Sequence, residues 1–313
     1  MTRLFAAILL ALCLQCAQVQ GAAAQGVLQL PALTTPASNE HHPGKVIWAD
    51  LVTPDLAAAE RFYAGLFGWS FRDVPGDPNY ALALADGEPI AGIYRKALPT
   101  PSAERRQPAW LTFLAARDVD ATSKQAVALG GRVLSKPRRF PGRGQQAVLA
   151  DPEGASFAVL AASGGDPTDY LAAPGSWIWS SVLVTDTARE LRFYRTLFGY
   201  DAYDLATPGS DETPQRHYVL AADGYARAGL HALPKDAAHR RPHWVNFVRV
   251  TDAAAAAQKA LSLGGRVLLE PRPDRHGGRL AVLADPAGAP FGVMEWSDSG
   301  SEDSGTRAES ATP

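Results

Sequence analysis

The sequence predicts an α+β protein in which one folding unit occurs twice. Three blocks of sequence recur in the same order at a nearly constant offset, which is the pattern of an internal duplication. Within each copy, short apolar runs of strand type alternate with two segments of helical period. The order strand–helix–strand–strand–strand occurs twice per copy, so we expect four βαβββ modules. Such modules would join in pairs to form two open, cupped β-barrels with helices outside.

The repeated blocks define the two copies. FYAGLFGW at residues 62–69 recurs as FYRTLFGY at 193–200, LGGRV at 129–133 recurs at 263–267, and AVLADP at 147–152 recurs at 281–286. The repeat predicts three pairs of equivalent residues: Trp48 and Trp179, Trp110 and Trp244, and Asp151 and Asp285. We therefore expect a signal peptide over 1–24, a linker over 25–44, a domain over 45–162, a linker over 163–176, a domain over 177–297 and a disordered tail over 298–313.

The elements of the first copy follow from local patterns. Residues 46–53 (VIWADLVT) are apolar and β-prone. Asp55 is expected to cap a helix that Gly68 ends, because Asp favours the first position of a helix and Gly the left-handed position after it. The remaining expected elements are strands near 81–85 and 90–94, a strand over 110–116, a helix over 118–129, and strands at 133–134, 146–150 and 157–160.

Composition and the first residues bear on partners and location. A net charge of −2 and the lack of a basic cluster exclude an obvious nucleic-acid surface. Arg3, an apolar run over 4–14 and Ala22-Ala23-Ala24 are typical of an export signal, and the run is too short to span a bilayer. We expect a periplasmic or secreted protein without a transmembrane span.

The two cysteines, Cys13 and Cys16, both lie in or beside this signal. A chain cleaved after Ala24 would hold neither a disulfide nor a thiol nucleophile. The alternative is a lipoprotein anchored to the membrane through Cys16, for which the preceding Gln15 is a poor match. Either outcome changes the location of the protein and leaves its fold unchanged.

The combined motifs resemble the glyoxalase/bleomycin-resistance/extradiol-dioxygenase superfamily, also called vicinal oxygen chelate (VOC) proteins. The resemblance covers about residues 44–162 and 176–297, as in a tandem-domain member. It is carried by Arg61-Phe62-Tyr63, LFGW at 66–69, Leu129-Gly130-Gly131 and Asp151-Pro152-Glu153-Gly154, and by their second-copy counterparts. Each motif alone has a structural explanation as a helix core, a helix stop or a turn. The resemblance therefore implies the fold more strongly than any activity.

The resemblance also implies a metal centre, with His on a first strand and Glu on a last strand. The matching positions hold Ala49 and Ser180 on the first strands, and Ala158 and Gly292 on the last strands. We therefore expect no metal or other cofactor at the usual site. A divalent ion in the second copy, bound by His231, His243 and Glu295, is an alternative. Strand alternation opposes it, because Glu295 follows Gly292 by three residues, and His239 and His243 lie in an Arg-rich connection.

Polar residues within apolar strands are the candidates for a ligand pocket. They could line the cups or hydrogen-bond only with one another, and the sequence leaves both readings open. The second copy is richer in such groups, which favours it as the site. The candidates are Asp50, Thr112, Ser180, Ser181, His217, His231 and Asn246.

Three functions are compatible with these features. The first is a protein that binds a small organic molecule without the usual metal centre, as the resistance proteins of the superfamily do. The second is a glyoxalase-type lyase or a dioxygenase with a non-standard site in the second domain, and the third is a structural module. No G-x-S-x-G elbow, P-loop or H-E-x-x-H motif is present, so no catalytic residue is assigned and the ligand is unidentified.

Overall fold

A computed structural model describes residues 28–96, 108–205, 217–233, 241–274 and 277–296. The expected signal peptide, with Cys16, and the expected disordered tail lie outside the described residues. The first domain contains β1 (Val46–Thr53), α1 (Leu56–Phe67), β2 (Ser70–Val74), β3 (Asp77–Ala85), β4 (Glu88–Arg95), β5 (Ala109–Ala115), α2 (Val119–Ala128), β6 (Arg132–Phe140), β7 (Gly144–Ala150) and β8 (Ser156–Ala162).

The second domain repeats this order of elements. It contains β9 (Trp177–Val184), α3 (Thr187–Phe198), β10 (Asp201–Asp204), β11 (His217–Ala222), β12 (Tyr225–Ala232), β13 (His243–Val250), α4 (Ala253–Ser262), β14 (Arg266–Pro273), β15 (Arg279–Ala284) and β16 (Pro290–Glu295). The prediction of four βαβββ modules is confirmed.

Each domain forms one mixed sheet of eight strands. The order is β2-β3-β4-β1-β5-β8-β7-β6 in the first domain and β10-β11-β12-β9-β13-β16-β15-β14 in the second. The two modules of a domain join where the antiparallel pair β1–β5, or β9–β13, meets at the centre of the sheet. The sheets are cupped and open, with no closure between the edge strands.

The helices begin and end where the sequence predicts. Asp55 accepts a hydrogen bond from the amide of Ala58 at 3.0 Å, and Asp118, Asp186 and Asp252 cap the other three helices in the same way. Gly68 and Gly199 end α1 and α3 with φ values of 76° and 75°, in the left-handed region that favours glycine.

All four helices lie outside the cups, on the convex faces of the sheets, and these faces pack together. One hydrophobic cluster joins Phe193 and Tyr194 of α3 with Phe157 and Leu149 of the first domain. A second cluster joins Phe62 and Tyr63 of α1 with Phe291 and Leu283 of the second domain. Each helix thus buries one face where the two domains meet, and both cups open away from the centre of the molecule.

Two symmetry-related contacts fix this arrangement of the domains. The Tyr194 hydroxyl donates to Oδ2 of Asp151 at 3.0 Å and accepts from Trp244 Nε1 at 3.0 Å. In the equivalent contact of the other copy, the Tyr63 hydroxyl donates to Asp285 at 3.4 Å and accepts from Trp110 at 2.9 Å. The expected equivalence of the Trp110–Trp244 and Asp151–Asp285 pairs is therefore confirmed.

Residues 28–40, which we call the strap, belong to the segment expected to be a linker and contain no helix or strand. They nevertheless pack on the first domain. The side chain of Leu30 is buried in the cluster that fills the first cup. Ser38 Oγ donates to the carbonyl oxygen of Asp166 at 2.6 Å, and the Asp166 carboxylate accepts from the amide of His42 at 2.7 Å. The second cup has no counterpart to the strap among the described residues.

Candidate functional site

The concave face of each sheet is the candidate site, because it is the face that the helices leave uncovered. In the first cup, Trp48, Tyr80, Leu82, Phe113 and Leu160 form a buried apolar cluster. In the second cup, Val245, Phe247 and Met294 are buried, while Trp179 and Leu183 beside them are only partly buried. An apolar cup with a few polar groups is the usual architecture of a small-molecule site.

The polar group of the first cup is Asp50. Its Oδ1 accepts from Trp48 Nε1 at 2.7 Å and from the Tyr80 hydroxyl at 2.8 Å. The guanidinium of Arg143 lies over the Trp48 ring, 4.2 Å from its centroid. Burial raises the pKa of the Asp50 carboxyl, and the nearby Arg143 and the two hydrogen bonds partly oppose this shift.

Glycine makes the contact between Asp50 and Tyr80 possible. Gly92 pairs with Asp50 across β1 and β4, and a Cβ at this position would overlap both the Tyr80 hydroxyl and Oδ1 of Asp50. Gly229 holds the same position in the second cup, where a Cβ would overlap Ser181 and His231. A glycine at this position therefore leaves space for a polar side chain at the centre of each cup.

The second cup carries a hydrogen-bonded series of side chains at the same place. Trp179 Nε1 donates to Ser181 Oγ at 3.0 Å, and Ser181 Oγ lies 3.2 Å from Nε2 of His231. The ring of His231 also contacts His217 through Nδ1, with ring centroids 4.7 Å apart. The series presents hydroxyl and imidazole groups that can both donate and accept hydrogen bonds.

Strand register relates the two polar centres residue by residue. Tyr80 pairs with Tyr94 in the first domain, and His217 pairs with His231 in the second. Together with the pairing of the two glycines, this makes Asp50 equivalent to Ser181, Tyr80 to His217 and Tyr94 to His231. One scaffold thus carries a carboxylate with tyrosines in one cup and a hydroxyl with imidazoles in the other.

Three of the expected pocket residues lie elsewhere. Thr112, Ser180 and Asn246 are buried on the helix-facing side of the sheets, where the two domains meet. Oδ1 of Asn246 accepts from Thr112 Oγ1 at 2.9 Å and from Ser180 Oγ at 2.7 Å. These three side chains face away from the cups, because successive residues of a strand point to opposite faces.

Alternation also corrects the position expected to hold a metal ligand on β1. Ala49 packs with α1 on the convex side, so it cannot face the cup. The cup-facing neighbours are Trp48 and Asp50. Ala158, by contrast, does lie among the residues of the first cup.

The described residues do not provide the His and Glu donor set of a metal centre. The central positions of the cups hold the indoles of Trp48 and Trp179, the methyl group of Ala158, and Gly292, which has no side chain. Across the described part of the chain, no group of three or more His, Cys, Asp or Glu side chains is placed to hold a metal ion.

The alternative set of His231, His243 and Glu295 is not brought together. Glu295 accepts from the amide of Ala253 at 2.8 Å and from the amide of Arg279 at 3.1 Å, so its carboxylate lies at the start of α4. Nδ1 of His243 lies 2.8 Å from the carbonyl oxygen of Arg241. His239 lies outside the described residues.

Sequence reasoning missed Arg143 and the two tryptophans as cup residues. Arg143 lies in the turn between β6 and β7, where nothing in its local sequence points to a site. The tryptophans did carry a signal, because the repeat aligns Trp48-Ala49-Asp50 with Trp179-Ser180-Ser181. An indole two residues from a polar side chain, at the same strand position in both copies, predicts a shared contact on one face.

A model of the glyoxalase-like domain matches residues 47–160 and again residues 180–294. The chain belongs to the glyoxalase-like domain family. It is 34% identical over 264 residues to the anthracycline biosynthesis protein DauV of Streptomyces sp. (strain C5), covering 81% of this chain and 94% of that protein. It is 32% identical over 263 residues to the putative glyoxylase CFP32 of Mycobacterium tuberculosis (strain CDC 1551 / Oshkosh), covering 83% and 98%.

Solved structures share the fold of this glyoxalase-like protein. The Mn(II)-bound glyoxalase from Novosphingobium aromaticivorans aligns with a TM-score of 0.57 and 17% identity, over 82% of this chain and 83% of that one. Homoprotocatechuate 2,3-dioxygenase from Brevibacterium fuscum, in complex with 3,4-dihydroxyphenylacetate, aligns with a TM-score of 0.57 and 15% identity, over 84% and 83%. These likenesses show that the chain shares the fold of both proteins. None of the helices described here is long and apolar enough to cross a membrane.

Proposed function

We propose that this protein binds a planar small organic molecule in the second cup without the usual metal centre. The observation that carries the proposal is the series Trp179–Ser181–His231–His217 on a cup face where Trp179 and Leu183 are only partly buried. An aromatic wall beside three groups that donate and accept hydrogen bonds suits a flat molecule with hydroxyl or carbonyl substituents.

The similarity to DauV supports this choice of ligand class. That relative is named for anthracycline biosynthesis, and anthracyclines are planar polycyclic molecules with hydroxyl and carbonyl groups on the ring system. The first cup is a poorer candidate for such a ligand, because Leu30 of the strap occupies it. The two cups therefore serve as matched test and control within one chain.

The test is a thermal-shift titration with the planar hydroxyketone 1,4-dihydroxyanthraquinone. We expect the probe to raise the Tm of the wild type, and we expect His231→Ala to abolish that rise with little change in the unliganded Tm. Tyr94→Ala, at the equivalent position of the first cup, should keep the full shift. A shift that survives His231→Ala but is lost in Tyr94→Ala would place the ligand in the other cup.

The alternative function, a lyase or dioxygenase of the glyoxalase type, is favoured by the contact between His217 and His231, since paired imidazoles can move protons or bind a metal. Metal analysis of the purified mature protein separates the two functions. The binding protein that we propose should contain substoichiometric metal and should bind the probe equally well after chelation. Stoichiometric metal that His231→Ala removes would instead support the enzyme.

We further propose that the protein is exported, with a mature chain that begins near Gln25 or is lipidated at Cys16. The charged start, the short apolar run and the Ala-rich site of the sequence support export. Intact-mass measurement on periplasmic and membrane fractions distinguishes the two forms. A chain that retains Met1 in these fractions would contradict both.

A further inference from the structure

The first cup differs from the second because a segment of the same chain lies in it. Leu30 is buried among the cup residues, and Leu28 and Leu33 pack against the same cluster. The carbonyl oxygen of Pro31 accepts a hydrogen bond from Nε of Arg143 at 2.7 Å. The strap therefore places one apolar side chain and one carbonyl oxygen where a ligand of this cup would lie.

The guanidinium of Arg143 has a hydrogen-bond donor that the strap does not satisfy. The side chain is only 1% exposed, and its Nη2 has no hydrogen-bond partner among the described residues. Nε and Nη2 share one edge of the guanidinium, and this edge matches the two oxygens of a carboxylate. A single neutral carbonyl oxygen therefore occupies an edge that can hold two charged ones.

The side chains around Arg143 indicate which chemistry the rest of the ligand should have. Its guanidinium lies over Trp48, and the neighbouring walls of the cup are Tyr80, Leu82 and Phe113. The Asp50 carboxylate offsets part of the buried positive charge, and its Oδ1 is already engaged by Trp48 and Tyr80. An apolar, aromatic body attached to a carboxylate fits this arrangement of one cationic edge and flat walls.

Space for such a body adjoins the strap. A cavity of about 430 Å³ lies between strap residues Gln29–Pro31 and the segment Arg72–Pro75, with Leu82 and the turn Pro141-Gly142 as its other walls. Gly142 leads directly into Arg143. Movement of Leu30 and Pro31 would join this cavity to the cup and would free the guanidinium edge.

We propose that the strap is a displaceable lid and that the first cup binds a planar aromatic carboxylate through the Nε–Nη2 edge of Arg143. The carboxylate replaces the carbonyl oxygen of Pro31 and satisfies Nη2, so ligand and strap compete for one site. This proposal does not depend on the function proposed for the second cup.

The experiment uses 2-naphthoate as the probe and the uncharged 2-naphthamide as its analogue. Binding is measured by calorimetry on the full chain, and every variant is compared in the same His231→Ala background, which lacks one of the polar groups of the second cup. Leu30→Gly removes the side chain that holds the strap down, and Gln29→Gly adds the same backbone freedom at an exposed neighbour. We expect Leu30→Gly to tighten 2-naphthoate binding about tenfold, a gain absent from Gln29→Gly and from titrations with the amide.

The role of Arg143 is tested in the Leu30→Gly chain. Arg143→Lys keeps a positive charge but lacks the two-donor edge, so the tenfold gain for 2-naphthoate should disappear. A gain that persists in Arg143→Lys would overturn the assignment of the anchor. Equal gains for 2-naphthoate and 2-naphthamide would overturn the carboxylate.

A second measurement needs no substitution in the cup or the strap. Because ligand and strap exclude each other, saturating 2-naphthoate should speed amide hydrogen exchange at residues 28–33 of the wild-type chain. Exchange in the strap that is unchanged or slower at saturation would overturn the proposed competition, whatever the variants show.

Discussion

Asn246 connects the two domains at the centre of the molecule. It lies on β13, faces β5 of the other domain, and accepts hydrogen bonds from Thr112 of that domain and from Ser180 of its own. All three side chains are buried, so water cannot replace a lost partner. A buried hydroxyl without a partner costs more than an average hydrogen bond contributes, because its desolvation is uncompensated.

We therefore expect Asn246→Ala to lower the free energy of unfolding by about 2–3 kcal/mol. The Thr112→Val variant should lose less, and adding it to Asn246→Ala should cost little more, because the hydroxyl that it removes has already lost its acceptor. Urea unfolding of the wild type, the two single variants and the double variant measures this coupling. Additive losses would show that the two side chains do not depend on one another. Ligand binding in either cup should be unaffected.

Helix α3 carries an acidic group that its counterpart α1 lacks. Glu190 is fully buried, and neither of its carboxylate oxygens has a hydrogen-bond partner in the described structure. The repeat places Ala59 at the equivalent position of α1. Burial, assisted by the charges of Asp151 and Glu153, raises the pKa of Glu190 to about 8.

Charged side chains from the turn after β7 and from the start of α3 lie near Glu190. Asp151 and Glu153 belong to the turn after β7, Asp186 caps α3, and Arg189 belongs to the first turn of that helix. Of these, only Arg189 favours the ionised form, with its Nε 3.8 Å from Glu190 Oε1. Glu153 cannot move away easily, because its carboxylate accepts from the amides of Thr185 at 2.6 Å and Asp186 at 2.7 Å.

The raised pKa predicts a pH-dependent stability. The unfolded chain releases this proton near the ordinary value of 4.5, and the folded chain holds it until about pH 8. Folding therefore favours the protonated form, so the contribution of Glu190 is full below about pH 4.5 and is lost as the pH rises to about 8. We expect Glu190→Gln to flatten this part of the profile and to stabilise the protein at pH 8 by roughly 2–4 kcal/mol.

Urea midpoints between pH 5 and pH 8.5 measure the effect. The exposed Glu88→Gln removes the same charge from the surface and serves as the control. A profile for Glu190→Gln that runs parallel to the wild type would contradict the buried protonated carboxyl.

The elements of this fold were more predictable from sequence than the residues of its site. Asp55 and Gly68 delimit α1 by local chemistry, and a repeat of whole blocks identifies equivalent strands. The facing of Ala49, Thr112 and Asn246 depends on strand pairing across the sheet, which the sequence of one strand does not contain. Arg143 and Leu30 come together only because two distant segments meet in the cup.

At the scale of the whole molecule, the two sheets have no separate cores on their convex sides. Phe157 and Leu149 of the first domain pack with Phe193 and Tyr194 of the second, and the mirrored cluster does the same around Tyr63. Separating the domains would expose the packed faces of the helices and their aromatic contacts to water. Hydrophobic burial is the main favourable contribution to folding, so each domain depends on the other for much of its stability.

We therefore expect the protein to unfold in one transition, although its sequence divides into two domains. Calorimetric and van't Hoff enthalpies should agree, and tryptophan fluorescence and far-UV circular dichroism should give coincident curves. Tyr194→Phe leaves Asp151 and Trp244 without their shared partner, and it should lower the single Tm without splitting it. Tyr63→Phe should do the same from the other side of the molecule. A shared core transmits a local loss of stability to both sheets. Two resolved transitions, with each variant lowering the Tm of only one of them, would therefore show that the domains fold independently.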